Sequence, residues 1–345
     1  MSAGVVTEAE GLTPAWLGEA LGGRVDDVVA APVGTGQIGT CYRLTLTGDG
    51  VPASVLVKLP AADQGSRDLL AGAYRGELVF YADIAPTVAV RVPTCHYAAI
   101  TPGSGDFVLV MEDLAPAVQG DQIGGCTVAQ ARDAVTNLAG LHGPRWSDPT
   151  LQDYDHLTLQ SPADIDLLTE LAPSTTELFV EGLGDLVSLE DRATLRECAE
   201  VVGPWSYARG ERYALVHGDY RLDNLMFHPD GASGSVALDW QTLSLGLPAR
   251  DLAYFVGTSL DPEARRAHER DLVAAYHRAL LGHGVTGHDL EECWEDYRFS
   301  MVQGPLVATF GCAYGTRSER GDRMFATMVA RSCAAIRDLG TLSLV

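Results

Sequence analysis

Residues 215–227 read LVHGDYRLDNLMF. His217, Asp219, Arg221, Asp223 and Asn224 fall within eight positions, and apolar residues close the stretch on both sides. A loop rich in Asp and Asn is usually a surface turn, because short polar side chains hydrogen-bond the backbone beside them. This loop is flanked instead by runs with the character of buried strands. Fifteen residues beyond Asn224 the pattern recurs in SVALDW (235–240), where Asp239 ends an apolar run. Asp219 can face a hydroxyl nucleophile. Asn224 and Asp239 both offer the hard oxygen that Mg2+ requires. Phosphoryl transfer asks for an oriented nucleophile and for cations on the phosphate oxygens, with little covalent help. An Asx turn and a strand-terminal aspartate explain each residue singly but not the joint spacing.

The N-terminal third carries a matching half. VGTGQIGTCYRL places Gly34, Gly36 and Gly39 in a G-x-G-x-x-G spacing between two β-like runs. Alone that triplet is a weak signal, and a dinucleotide turn needs a helix after it. The strand-like TCYRLTL follows instead, so the expectation is a hairpin lid whose backbone N–H groups approach phosphate oxygens. Next comes VLVKLP. Lys58 is the only lysine in the chain, against 23 arginines. A compact ammonium in an apolar strand can reach phosphates between packed neighbours where a guanidinium fork would be bulky. The bland alternative is a lysine whose head reaches water. Glu77, in the helix-like YRGELVFY, is the natural ion-pair partner, with Asp68 and Asp83 as competitors.

Composition bounds the rest. The 345 residues suit one large domain or two lobes with ample core. With 24 Lys+Arg against 46 Asp+Glu the net charge is −22, so nucleic acid and anionic membrane are poor partners. Seven scattered cysteines, an odd count without a CxxC pair, suggest a reduced, cytoplasmic protein. The first residues lack the basic and apolar regions of a signal peptide. The apolar stretch 300–315 is too short and too broken for a membrane span, which suggests a buried helix. LTPAWLGEAL starts a short helix with Thr13 as cap and Pro14 in its first turn. Strand-like runs separated by Gly and Pro follow, with GDG at 48–50 as a hairpin turn and one helix near 67–85. From about 127 helices dominate, at 127–142, 162–187, 189–203, 248–259, 262–282, 288–302 and 322–338. The expected division is a helical extension over 1–24, a nucleotide-binding lobe over 25–114 and a catalytic, acceptor-binding lobe over 115–345.

Together the glycine triplet, Lys58, Glu77, LVMEDL, the H-x-D-x-x-x-x-N loop and Asp239 resemble the protein-kinase-like fold. HGDYRLDNLMF followed by ALDW and DLAYF is similar to the signature of the aminoglycoside phosphotransferase family. RGELVFYADIAP, MEDLAP and LDWQTLSLGLPARDLAYFVGTSL look more like its ecdysteroid-kinase-like branch. The resemblance runs from about 25 to 310. It implies an α+β, two-lobed fold: an antiparallel N-terminal sheet with one helix, then a mostly helical lobe. It implies an ATP- and Mg2+-dependent O-phosphotransferase acting on a small-molecule hydroxyl. By the same resemblance Lys58, held by Glu77, contacts the α/β-phosphates under Gly34, Gly36 and Gly39. The backbone from Glu112 to Leu114 meets adenine, Asp219 orients or deprotonates the acceptor, and Asn224 and Asp239 bind Mg2+. His217 and Asp251 brace the loop, and Arg221 and Asp223 are expected as a solvated surface pair.

A protein kinase is disfavoured, because Asp239 precedes WQ rather than Phe-Gly and only twelve positions separate it from Asp251. A silent pseudokinase binding module is the alternative from another class, although every core position is filled. The resemblance tilts the acceptor toward a hydrophobic natural product or sterol-like compound, with a cationic acceptor as the alternative. If Trp294, Tyr297, Phe299 and Met301 line a cleft, the acceptor is apolar, such as a sterol or macrolide. If Glu291, Glu292, Glu295 and Asp296 line it, the acceptor is cationic, such as an aminoglycoside or choline. The plain expectation is aromatics in the core and acids on a solvated face. The oligomeric state is not legible.

Overall fold

The computed structural model describes residues 3–33, 39–154, 156–231 and 234–345. The chain forms two compact units, one of residues 1–87, 92–116 and 238–242, the other of 88–91, 117–237 and 243–345.

The first unit holds α1 (Pro14–Leu21), β1 (Arg24–Val33), β2 (Thr40–Asp49), β3 (Ser54–Leu59), α2 (Gln64–Val79), β4 (Cys95–Ile100) and β5 (Phe107–Glu112). The strands make one sheet in the order β1-β2-β3-β5-β4, with every pairing antiparallel. Strand β3 shows why. Its side chains alternate faces, so Val55, Val57 and Leu59 are fully buried with Leu44 and Leu46 of β2, Val108 and Val110 of β5, and Leu17 of α1. Leu56 and Lys58 point to the other face. The Thr13 hydroxyl caps α1 by accepting from Trp16 N, and Gly22 ends the helix in a left-handed conformation. Helix α2 starts on its Asp63 cap and, past Val79, widens into a π turn over Phe80–Ile84. The helix of residues 67–85 expected from sequence is therefore longer at its start and changes type at its end.

The second unit is mostly helical. Its elements are β6 (Val118–Gln119), α3 (Val128–His142), α4 (Pro162–Leu183), α5 (Leu189–Tyr207), β7 (Ala214–Val216), β8 (Leu225–Phe227), β9 (Ser235–Ala237), β10 (Ser244–Gly246), α6 (Ala249–Ser259), α7 (Pro262–Gly282), α8 (Leu290–Phe299), α9 (Gln303–Tyr314) and α10 (Glu319–Leu339). Ser, Thr or Asp caps start α3, α4, α5, α7, α8 and α10. Helices α4, α5, α6, α9 and α10 share a core that includes Phe179, Leu195, Tyr254, Ala308 and Met328. The quoted loop is gripped as its flanks suggest: β7 is fully buried against β10, and β8 sits between β6 and β9. Among the described residues no helix is long and apolar enough to cross a membrane.

On α8 and the turn after it the plain expectation holds for the aromatics, Met301 and three of the acids, and fails at Asp296. Trp294, Tyr297, Phe299 and Met301 are core residues at 5% exposure or less. Glu291, Glu292 and Glu295 are solvated or half-solvated. Asp296 is buried, and Arg209 and Arg212 both pair with it.

Candidate active site

In the first unit three distant segments meet. Lys58 on β3 donates to Glu77 Oε2 on α2 at 2.6 Å, and Asp239 Oδ1 lies 3.7 Å from the same ammonium. Neither competitor of Glu77, Asp68 or Asp83, holds Lys58; Asp68 instead accepts from Gln64. The Lys58 side chain is 13% exposed and that of Glu77 2%. Burial alone would favour the neutral amine, but the Glu77 and Asp239 carboxylates outweigh it and hold Lys58 above the ordinary lysine range. Gln241 Nε2 also donates to Glu77 Oε2, at 3.2 Å, and the Trp240 ring stacks on Phe80 of the π turn at 3.6 Å. The segment carrying Asp239 is thus pinned beside α2.

Asp239 itself is unusual. It lies two residues past the end of β9, not at it, with φ +62°, left-handed backbone that a non-glycine residue adopts at a cost. Its Oδ1 is buried and accepts no hydrogen bond. That oxygen faces the Lys58 ammonium at 3.7 Å, and with its side chain 43% exposed the carboxylate stays open to a second cation.

Gly39 stands just before β2 with φ +129°, and a Cβ there would stand 2.6 Å from Leu59 O, so only glycine fits. Gly34 and Gly36, named for the phosphate lid, lie outside the described residues. Cys41, two positions on, is the cross-strand partner of Lys58, and burial pushes its thiol up; sequence reading assigned it nothing. Glu112 ends β5 with its carboxylate taken by Thr94, at 3.0 Å from both the backbone N–H and the hydroxyl. The neighbouring Asp113 accepts a two-pronged bond from Arg43 at 2.8 and 3.1 Å. Leu114 is half-buried, so the acidic side chains of this strip are tied back on either side of its backbone.

In the second unit the loop is organised from below. Asp251 on α6 accepts His217 N at 2.6 Å and Gly218 N at 3.0 Å, and Gly218 turns with φ +79°. Asp251 is fixed in turn by His142, whose other ring nitrogen meets Tyr276 Oη at 2.7 Å. Above this brace Asp219 receives Arg221 Nε at 3.0 Å on both oxygens, Tyr254 Oη at 2.8 Å on Oδ1 and Asn224 Nδ2 at 2.8 Å on Oδ2. The Asn224 amide also donates to Asp219 O at 2.9 Å, which commits its nitrogen and leaves its oxygen as the atom for a hard cation.

Arg221 and Asp223 are not a solvated pair. Their side chains are 19% and 9% exposed and meet at 3.0 Å. Asp223 also accepts Arg320 at 2.9 and 3.1 Å and Gln122 N at 2.9 Å. Burial would raise its pKa, but Arg320, the Gln122 N–H and Arg221 hold it below the ordinary range. The sequence carried no signal for Arg320, which stands 97 positions away.

Among the described residues no group of three His, Cys, Asp or Glu side chains could hold a metal alone. Mg2+ does not require one, since it often takes one or two protein oxygens and completes its shell with phosphates and water. Asn224, in the second unit, and Asp239, in the first, each present an oxygen of that hard kind. Within the units, the structure joins Lys58, Glu77 and Asp239 in one cluster and Asp219 and Asn224 in another.

Comparison with known proteins agrees with this architecture. The model of the ecdysteroid kinase-like family matches residues 153–284. A putative aminoglycoside phosphotransferase from Ralstonia eutropha is 19% identical with a TM-score of 0.55, the match covering 95% of this chain and 98% of that one. Choline kinase from Cryptosporidium parvum is 9% identical with a TM-score of 0.62, over 92% and 91%. The GDP complex of wild-type aminoglycoside 2'-phosphotransferase-IIIa is 15% identical with a TM-score of 0.52, over 90% and 94%. Among curated proteins, mouse acyl-CoA dehydrogenase family member 10 is 51% identical over 51 residues, which is 15% of this chain. The chain spans only 5% of the length of that relative, too little to carry its activity across. The chain has the protein-kinase-like fold, and over residues 153–284 it is similar to the ecdysteroid kinase-like family.

Proposed function

We propose that this protein is a kinase of small molecules, moving the γ-phosphoryl group of ATP to a hydroxyl. The observation that carries the reading is the meeting of Lys58, Glu77 and Asp239 from three distant segments, with one carboxylate oxygen of Asp239 left without a donor. In this reading Lys58, steadied by Glu77, neutralises the α/β-phosphates. The backbone from Glu112 to Leu114 meets the nucleobase. Asn224 and Asp239 hold Mg2+, which when bound offsets charge on the phosphate oxygens. Asp219 orients the acceptor hydroxyl. The reacting protein lies in a reduced, cytoplasmic setting, and neither nucleic acid nor membrane is its partner.

For the acceptor, an apolar hydroxylated compound of natural-product or sterol type is favoured over a cation. The acids of α8 supply no seat for an ammonium, because Asp296 is neutralised by two arginines and the others face solvent. Ile123, Val307 and Phe325 are half-buried against the core that contains Tyr254, the hydrogen-bond partner of Asp219.

The test is ADP release with Mg·ATP or Mg·GTP across hydroxylated compounds, with products identified by mass spectrometry and Asp219→Asn as control. Phosphorylation of apolar alcohols by the wild type alone supports the reading. Turnover confined to aminoglycosides or quaternary ammonium alcohols overturns the acceptor class. Mg2+-dependent nucleotide binding without ADP release would point to a silent binding module, and phosphate transfer to peptides to a protein kinase.

A further inference from the structure

Helix α6 meets the loop twice. Asp251 takes the backbone of His217 and Gly218, and one turn later Tyr254 reaches the carboxylate of Asp219. A separation of three residues puts both groups on the same side of the helix. Tyr254 is 1% exposed, and its ring is packed in the core with Phe179, Met324 and Val329. Burial first, and the charge of Asp219 second, push its phenol well above the ordinary tyrosine range, so the hydroxyl remains a donor.

A carboxylate offers about four lone-pair directions, and rotation about its last bond is soft. Arg221 Nε stands 3.0 Å from both oxygens of Asp219 and so does not distinguish them. Asn224 takes Oδ2, but it lies on the same loop and moves with it. Among the described residues Tyr254 is the one donor to this carboxylate from outside residues 217–224, and it is anchored in packed helix.

We propose that Tyr254 is a positioning residue for phosphoryl transfer, fixing the plane of the Asp219 carboxylate so that it faces the attacking hydroxyl once the shared Arg221 contact gives way. This rests on the kinase reading above. In the step concerned the acceptor oxygen bonds to the γ-phosphorus and the bond from phosphorus to the β-bridging oxygen breaks. ADP leaves with the electron pair, and the hydroxyl proton passes toward Asp219.

Water serves as the probe acceptor. ADP release from saturating Mg·ATP is measured without added acceptor for wild type, Tyr254→Phe, Asp219→Asn and the double variant. Mg·ATP affinity is read by calorimetry and the thermal midpoint on the same samples. Tyr254→Phe is expected to slow hydrolysis about tenfold or more, as misplaced reacting groups do, while affinity stays within about twofold. The double variant is expected to be no slower than Asp219→Asn, because Tyr254 acts only through Asp219. Three results overturn the proposal and leave the kinase reading standing: near-wild-type hydrolysis by Tyr254→Phe, multiplicative losses in the double variant, or loss of fold on removing the hydroxyl. Failure of the wild type to release ADP both with water and with every hydroxylated compound of the screen above, or undiminished release by Asp219→Asn, overturns the kinase reading itself, and the positioning role falls with it.

Discussion

Lys58→Met and Glu77→Gln separate a buried ion pair from a surface one. Removing one partner of a buried pair costs about 3–5 kcal/mol, since the other charge is left without compensation. After Lys58→Met, Glu77 keeps, among the described residues, Gln241 Nε2 at 3.2 Å, so the cost should be about 4 kcal/mol on that scale. After Glu77→Gln, Lys58 still has Asp239 at 3.7 Å, so about 3 kcal/mol is expected. Independent sites would sum to about 7 kcal/mol in the double variant. Removing both charges together removes the isolated-charge penalty, so the double variant should lose only about 1–2 kcal/mol. Urea unfolding of the full chain, followed by tryptophan fluorescence, measures each value provided the slopes agree. Because the folded pKa of Lys58 is raised, this stabilisation is complete below the unfolded lysine value of about 10.4 and fades only as pH rises through the folded value. The coupling should therefore be equal at pH 6 and pH 8. Additivity within about 0.5 kcal/mol, the range typical of uncoupled sites, would refute the reasoning and make Lys58 a residue that merely reaches water.

Lys58 is the sole side-chain amine, so a lysine-directed acyl-phosphate analogue of ATP should label one internal position, with Mg·ATP but not sulfate protecting it; peptide mapping by mass spectrometry reads this out. Lys58→Arg should abolish most ADP release with little change in thermal midpoint, because the planar fork cannot replace an ammonium between packed strands. Asp239→Asn keeps a residue type tolerant of left-handed backbone and should lose Mg2+-dependent ATP binding, measured by calorimetry, without unfolding. Asp223 has a lowered pKa, so its stabilisation is present above the unfolded aspartate value of about 3.9 and is lost as pH falls through the folded one. Arg320→Ala should shift the acid-unfolding midpoint, followed by circular dichroism, toward higher pH.

Much of the site was legible because it is local. Asp219 and Asn224 lie five apart, Lys58 sits in a strand with plain alternation, and Glu77 lies in a helix that follows it. Groups brought in by tertiary packing were not legible. Arg320 reaches Asp223 across 97 positions, and Arg209 and Arg212 reach Asp296 across 87 and 84. Each acid looked like part of a solvated face because a sequence does not show which arginine closes on it. Tyr254 was hidden differently: in DLAYF it is one more aromatic in an apolar helix, and only its hydroxyl, not its hydrophobicity, sets it apart. The π turn after Val79 left no composition signal either, since one extra residue in a turn changes the helix without changing the residue types.

Asp239 holds left-handed backbone that glycine would adopt freely, a difference of about 1–3 kcal/mol for a residue with a side chain. Selection for thermal endurance alone would weigh that strain against the Lys58 contact at 3.7 Å, and where the strain is the larger it favours Asp239→Gly, a chain that has lost the carboxylate proposed to hold the metal. A library sorted only by survival on heating should become enriched in such variants. Robust folding and turnover pull in opposite directions at this one position, so an engineering campaign on this scaffold would have to score both.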